Sequence, residues 1–142
     1  MRNIQTRLVK STLEAFTLME SLLTLFVVSL LSFSLAGSVQ SAFQSVQETI
    51  FFWEFEYMYK ESQQLAASNQ EILTLELTDQ EINNGYQKLK LPANIELAKE
   101  QAIIFDKSGG NSSLAKVQFV TDNKKITYQL YIGSGRYKKT EE

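Results

Sequence analysis

The sequence predicts an α+β chain: a long N-terminal α-helix, membrane anchor in its first half and amphipathic in its second, packed on a small antiparallel β-sheet of four to five strands. Three observations predict it. Residues 16–36 are an apolar run with a single charge. Residues 39–57 repeat apolar side chains at helical spacing. From residue 70 onward the pattern changes to short alternating runs separated by turn residues.

The apolar run, FTLMESLLTLFVVSLLSFSLA, is long enough for a helix to cross a hydrocarbon layer of about 30 Å. Thr17, Ser21, Thr24, Ser29, Ser32 and Ser34 dilute it, and a hydroxyl on a helix avoids an unsatisfied group in lipid by bonding a carbonyl one turn back. Arg2, Arg7 and Lys10 all precede the run. The positive-inside rule therefore keeps residues 1–15 in the cytoplasm and sends the chain after about residue 40 outside. Glu20 is the exception in the run, because a carboxylate within a span costs about 2.5–3.5 kcal/mol and persists where it is paired or useful. Its cation would be an α-amino group at Phe16, were the chain cut between Ala15 and Phe16, since residues four apart share a helix face about 5.4 Å apart. An ordinary secretory signal, with small residues near Ala36 or Ala42 as its cleavage site, competes with this reading but gives Glu20 no role.

Beyond Gly37, which weakens a helix locally by about 1 kcal/mol and invites bending or melting there, Val39, Phe43, Val46, Ile50, Trp53 and Tyr57 alternate at spacings of four and three. Phe51, Phe52, Trp53, Phe55, Tyr57 and Tyr59 crowd one stretch. Aromatics on every side of a helix either split between core and interface or all pack under the sheet of the same subunit.

In the remainder, Leu73, Leu75 and Leu77 share a strand face, and Asn83-Asn84-Gly85 supplies a turn. Further runs cover Ile95–Leu97, Ala102–Phe105, Lys116–Thr121 and Ile126–Ile132. Residues 108–113 read as a flexible hairpin loop and Asp122-Asn123 as a tight turn. The chain has 142 residues, no cysteine and no histidine, which removes disulfides, thiol nucleophiles, imidazole bases and the usual zinc sets. Neither glycine cluster has the lysine and following helix of a P-loop. The reading is therefore of a protein that is not an enzyme, with no catalytic residues, no metal and no cofactor.

Glu14-Ala15-Phe16-Thr17-Leu18-Met19-Glu20 resembles the class III signal of type IV pilins and type II secretion pseudopilins, with Ala15 where the family normally has glycine. Ile104-Phe105-Asp106-Lys107-Ser108-Gly109-Gly110 and Tyr131-Ile132-Gly133-Ser134-Gly135-Arg136 resemble the closing strands of competence minor pilins of the ComGD type from Gram-positive bacteria. The resemblance implies a pilin-like fold divided into a cytoplasmic leader peptide (1–15), a transmembrane and filament-core helix (16–39), its amphipathic extension (40–68) and a globular β-rich head (69–142). It further implies cleavage by a prepilin peptidase between Ala15 and Phe16, N-methylation of Phe16, and pairing of Glu20 with a Phe16 amine during assembly.

The function so implied is that of a minor pilin of the competence pilus, needed for pilus assembly and thereby for DNA uptake. It would be held in the cell membrane by residues 16–36, with its C-terminus outside, and displayed at the cell surface within the pilus. Its partners would be other competence major and minor pilins, the prepilin peptidase and the pilus assembly membrane platform. The alternative is a GspH-like pseudopilin acting in protein export. Lys124, Lys125, Arg136, Lys138 and Lys139 form a candidate DNA contact. Against it, the chain carries −2 overall, and residues 1–15 hold three cations and one carboxylate, so the remainder carries −4. Lysines guarding a solvated strand edge are the commoner arrangement.

Overall fold

The computed structural model describes residues 3–112 and 114–142, with side chains from Phe16 onward. Helix α1 runs Asn3–Asn69. Eight strands follow: β1 Leu73–Leu77, β2 Glu81–Asn83, β3 Lys88–Lys90, β4 Ile95–Leu97, β5 Gln101–Phe105, β6 Lys116–Thr121, β7 Lys125–Leu130 and β8 Tyr137–Glu141. The α+β class is as the sequence predicts, but the single sheet of four to five strands is two four-stranded antiparallel sheets, β3-β2-β1-β5 and β4-β6-β7-β8. The chain divides into two units, one ending at Phe43 and one beginning at Gln44.

The first unit is helix alone. Four of its hydroxyls bond back as lipid would require: Ser21 to the Thr17 carbonyl, Thr24 to Glu20, Ser29 to Leu25 and Ser32 to Val28, all at 2.7–2.8 Å. The helix is unbroken at Gly37, whose carbonyl accepts the Ser41 hydroxyl at 3.2 Å, so the glycine does not interrupt it here.

The second unit is built on one face of α1. Phe51, Phe52, Phe55, Met58, Tyr59, Ser62 and Ala66 are buried, a stripe at helical spacing. Against it lie Leu73, Leu75, Leu77, Ile82, Ile103 and Phe105 of the first sheet and Ile95, Leu97, Val117, Phe119, Ile126, Tyr128 and Leu130 of the second. Phe119 is the centre of an edge-to-face cluster, with ring centroids 5.1–5.7 Å from Phe51, Phe52 and Phe55, the geometry that ring quadrupoles favour. The two sheets meet where the Gln101 side chain donates to the Lys116 carbonyl at 2.8 Å.

Helix α1 stops at a left-handed residue, Gln70 (φ 55°), and Glu71 N–H reaches back to the Ala66 carbonyl at 3.2 Å, the longer bond of a Schellman closure. The turn at Asn83-Asn84-Gly85 forms as its sequence predicts, with Gly85 at φ 84°. Asn84 is buried: its carbonyl oxygen accepts the N–H groups of Tyr86 and Gln87, and its amide donates to Ser62 on α1.

Two turn readings fare differently. Asp122-Asn123 does join paired strands β6 and β7. The loop over 108–113 does turn the chain back, at an isolated antiparallel bridge between Phe105 and Asn111, but it does not join two neighbouring strands: β5 pairs with β1 and β6 with β4 and β7, so the chain goes on to cross to the other sheet; Ser113 within it lies outside the described residues. Nor is its glycine end loose. The Asp106 carboxylate accepts bonds from the Ser108 hydroxyl and the N–H groups of Gly110 and Ser108, which hold its pKa below the ordinary value. The Gln63 amide on α1 donates to the Gly109 carbonyl at 3.0 Å.

At Gly109 (φ 80°) an added Cβ would sit 2.8 Å from the Gln63 carbonyl oxygen, and at Gly135 (φ 59°) it would collide with the Gln63 amide. Both loops that close the head thus need glycine for conformation and for contact with α1. Gly135→Ala is expected to destabilise the protein by about 2 kcal/mol or more, read as a lowered thermal midpoint by circular dichroism in detergent micelles. An unchanged midpoint would show that Gln63 simply moves aside.

Candidate functional site

Along residues 16–43 of α1 every described side chain is exposed, including Phe16 at 72%. The segment is long and apolar enough to cross a membrane, by length and composition. Phe16, Met19, Glu20 and Leu23 line one shallow surface depression, so the two residues predicted to act together are one turn apart on the same face. Among the described residues no cation pairs with Glu20. The Ala15 side chain, on the other side of the predicted cleavage point, lies outside the described residues.

In the second unit α1 presents a second apolar face. Val46, Ile50, Trp53 and Tyr57 are exposed, Trp53 at 74% and Tyr57 at 64%. Each of Ile50, Trp53 and Tyr57 lies two residues from a buried aromatic, about 200° around the helix. The six aromatics therefore divide: Phe51, Phe52, Phe55 and Tyr59 build the core, and Trp53 and Tyr57 do not. The bland reading, in which all six pack under the sheet, is excluded. Trp53 and Tyr57 line a groove of about 460 Å³ with Glu54, Met58, Gln87, Lys88 and Leu89, where α1 runs beside the outermost strand β3.

The five cations near the last hairpin do not form one patch. Lys139 turns toward α1, its ammonium 3.1 Å from Glu56 Oε1 and above the rings of Phe52 and Tyr128. Lys124 lies 3.7 Å from the Glu141 carboxylate. Lys125 is half-buried, and Arg136 and Lys138 are exposed.

Sequence reasoning missed Glu56, which ties α1 to the second sheet. Its Oε1 accepts the Tyr128 hydroxyl at 2.9 Å as well as Lys139, and its Oε2 accepts the Tyr137 hydroxyl at 3.1 Å. Burial alone would raise its pKa. The Lys139 bond and charge and the two tyrosine hydroxyls outweigh that and hold it below the ordinary value. The same contact works in reverse on the phenols: burial first, then the Glu56 charge, pushes Tyr137 up to about 12 and Tyr128 higher still. Two acids among aromatics, Glu54 and Glu56, were the available signal, but the partners of Glu56 are 72–83 residues away.

In comparison with known proteins, the chain is 49% identical over all of its 142 residues, covering 89% of the relative, to "Competence protein ComGD" of Streptococcus pneumoniae (strain ATCC BAA-255 / R6). No family model matches the chain. No solved structure matches it.

The clasp on Glu56 predicts a pH dependence. A carboxylate with a depressed folded-state pKa stabilises above its unfolded value, 4.5 here, and that contribution is lost as pH falls through the folded value. Glu56→Ala is expected to cost about 2 kcal/mol at neutral pH, with the gap to wild type narrowing progressively below pH 4.5. Urea midpoints measured at neutral and acid pH check this. A gap independent of pH would assign the loss to packing alone.

Proposed function

Because the chain belongs to the ComGD family of competence proteins, we propose that it is a minor pilin of the competence pilus, needed to assemble that filament and thereby for DNA uptake. The observation that carries the reading is the division of α1 into two apolar faces. One face builds the core of the head, and the other is left uncovered by the subunit itself. An apolar surface of that extent requires an apolar environment. Lipid provides one for residues 16–36 before assembly, and the helices of neighbouring pilins provide one afterwards.

The leader, residues 1–15, is removed by a prepilin peptidase between Ala15 and Phe16, and the new Phe16 amine is methylated. The span holds the subunit in the cell membrane with its head outside until the assembly platform passes it into the filament. There Glu20 meets a Phe16 amine of an adjoining subunit among apolar side chains. A wrong axial step would leave an ionised group unpaired in low dielectric, a penalty of several kcal/mol, so charge sets the register of helices that apolar contact alone would let slide. Val39, Phe43, Val46, Ile50, Trp53 and Tyr57 continue the contact outward. Their spacing of four and three is the near-heptad seam by which one helix receives another. Nothing in the fold or in the comparison favours the protein-export alternative.

Two outcomes test this in a deletion strain complemented with variants. Glu20→Ala is expected to yield processed subunit in the membrane but none in sheared filaments, with transformation lost; mutant subunit in filaments at normal yield overturns the register role. Trp53→Ser with Tyr57→Ser is expected to reduce incorporation at least several-fold while leaving the thermal midpoint of the head within a few degrees, since neither side chain is in its core. If incorporation holds, this face is not a filament contact.

A further inference from the structure

The second sheet alternates its side chains between α1 and solvent, and the pairing register fixes which residues share the outer face. Val117, Tyr128 and Lys139 are directly opposite one another and face α1, with Val117 and Tyr128 buried. One residue along each strand, Lys116, Gln129 and Lys138 are likewise opposite and point the other way. Strands are about 4.8 Å apart, so the two lysines are about 10 Å apart across the sheet. The ladder continues past β7 and β8 through the bond from Tyr131 N–H to the Arg136 carbonyl at 3.0 Å, which brings Arg136 and Tyr131 to the same end of this face. The next outer row is Gln118, Thr127 and Thr140.

Lys116, Arg136 and Lys138 are exposed, and none has a carboxylate partner among the described residues. The acids of this face are at the opposite end. Glu96 is opposite Val120, itself opposite Lys125, whose backbone is bonded both ways to Glu142. The sheet is thus cationic at one end and balanced at the other, in a chain that without its leader carries −4. Cations without carboxylate partners on one rigid face set up a local positive field that draws anions to it.

The geometry points to a DNA-contacting surface at this end of the sheet, made by Lys116, Arg136 and Lys138 with Gln129 and Tyr131, which binds the phosphate backbone without reading sequence. The identity of the polymer rests on the competence reading; the cationic face does not. An acidic protein is the poorer occupant, because a protein interface centres on buried apolar anchors, whereas the exposed apolar side chains near this end, Leu114 and Ile132, lie in the flanking loops and the strands themselves offer cations, an amide and a phenol. Those are the side chains that bond phosphate and sugar. Of the cations near the last hairpin, Lys124 and Lys139 are engaged by carboxylates and Lys125 belongs to the balanced end. Lys116, distant in sequence, takes their place.

The test uses the full chain in detergent micelles and a short labelled DNA duplex followed by fluorescence anisotropy at low salt. The triple variant Lys116→Gln, Arg136→Gln, Lys138→Gln is expected to bind at least about tenfold more weakly, with the slope of log affinity against log salt shallower by about 2–3. A charge-matched triple, Lys88→Gln, Lys90→Gln, Lys99→Gln, is expected to stay within about twofold of wild type. Thermal midpoints confirm that both triples fold. Equal losses in the two triples, no binding by wild type, or displacement by polyglutamate as effective as by DNA would each overturn the proposal, the last in favour of an acidic protein. Sheared-filament yield of the wild-type strain tests the assembly reading separately, so failure of one is not mistaken for failure of the other.

Discussion

One helix in this protein has to satisfy two apolar faces. Beyond residue 44 the side chains of α1 alternate between a stripe that the subunit covers itself and one that it leaves open. The covered stripe carries Phe51, Phe52, Phe55 and Tyr59, large rings that meet Phe119, Tyr128 and Phe105 edge to face. The open stripe carries Val46, Ile50, Trp53 and Tyr57. Because both lie on the same rod, they cannot drift relative to each other. A contact made on the open side is transmitted to the head through rigid helix, not through a linker.

The head is fastened to that rod by a few polar joints placed where apolar contact gives no direction. Glu56 gathers two phenols and an ammonium from β7 and β8. Ser62 receives the amide of the buried Asn84, and Gln63 holds the loop after β5. Hydrophobic burial is non-directional and would tolerate sliding of the sheets along the helix; hydrogen bonds at fixed positions on α1 remove that freedom. In a chain with no disulfide these joints take over the registering role that a cross-link would have.

Much of this was legible in the sequence, and the unread parts have physical reasons. The apolar run, the stripe from Val39 to Tyr57 and the strands at Leu73–Leu77, Ile95–Leu97 and Lys116–Thr121 announce themselves by periodicity. Strands β2 and β3 are three residues each and turn a single apolar side chain inward, Ile82 and Leu89, which is too little for a period to show. Strand β8 reads YKKTE, exposed over most of its length, and is held through Tyr137 and Lys139. Splitting one expected sheet into two followed from those omissions. Among the site residues, the division of six adjacent aromatics between core and surface needed the position of the sheets. The separation of Lys138 from Lys139 needed only their alternation along a strand, but β8 had first to be recognised as one.

The hydroxyls of the first unit have a consequence for how such a subunit changes its surroundings. Serines and a threonine that bond back to the carbonyls of their own helix cost little in either medium, but they contribute none of the transfer free energy that leucines at the same positions would. A helix composed this way gains less from lipid than a helix of leucines of the same length would. Drawing it out of lipid would then take less work than drawing out a uniformly aliphatic span of the same length. For the assembly proposed above, the dilution of the anchor would ease the passage of subunits from lipid into a filament, and an exchange of Ser29 or Ser32 for leucine would hold them back.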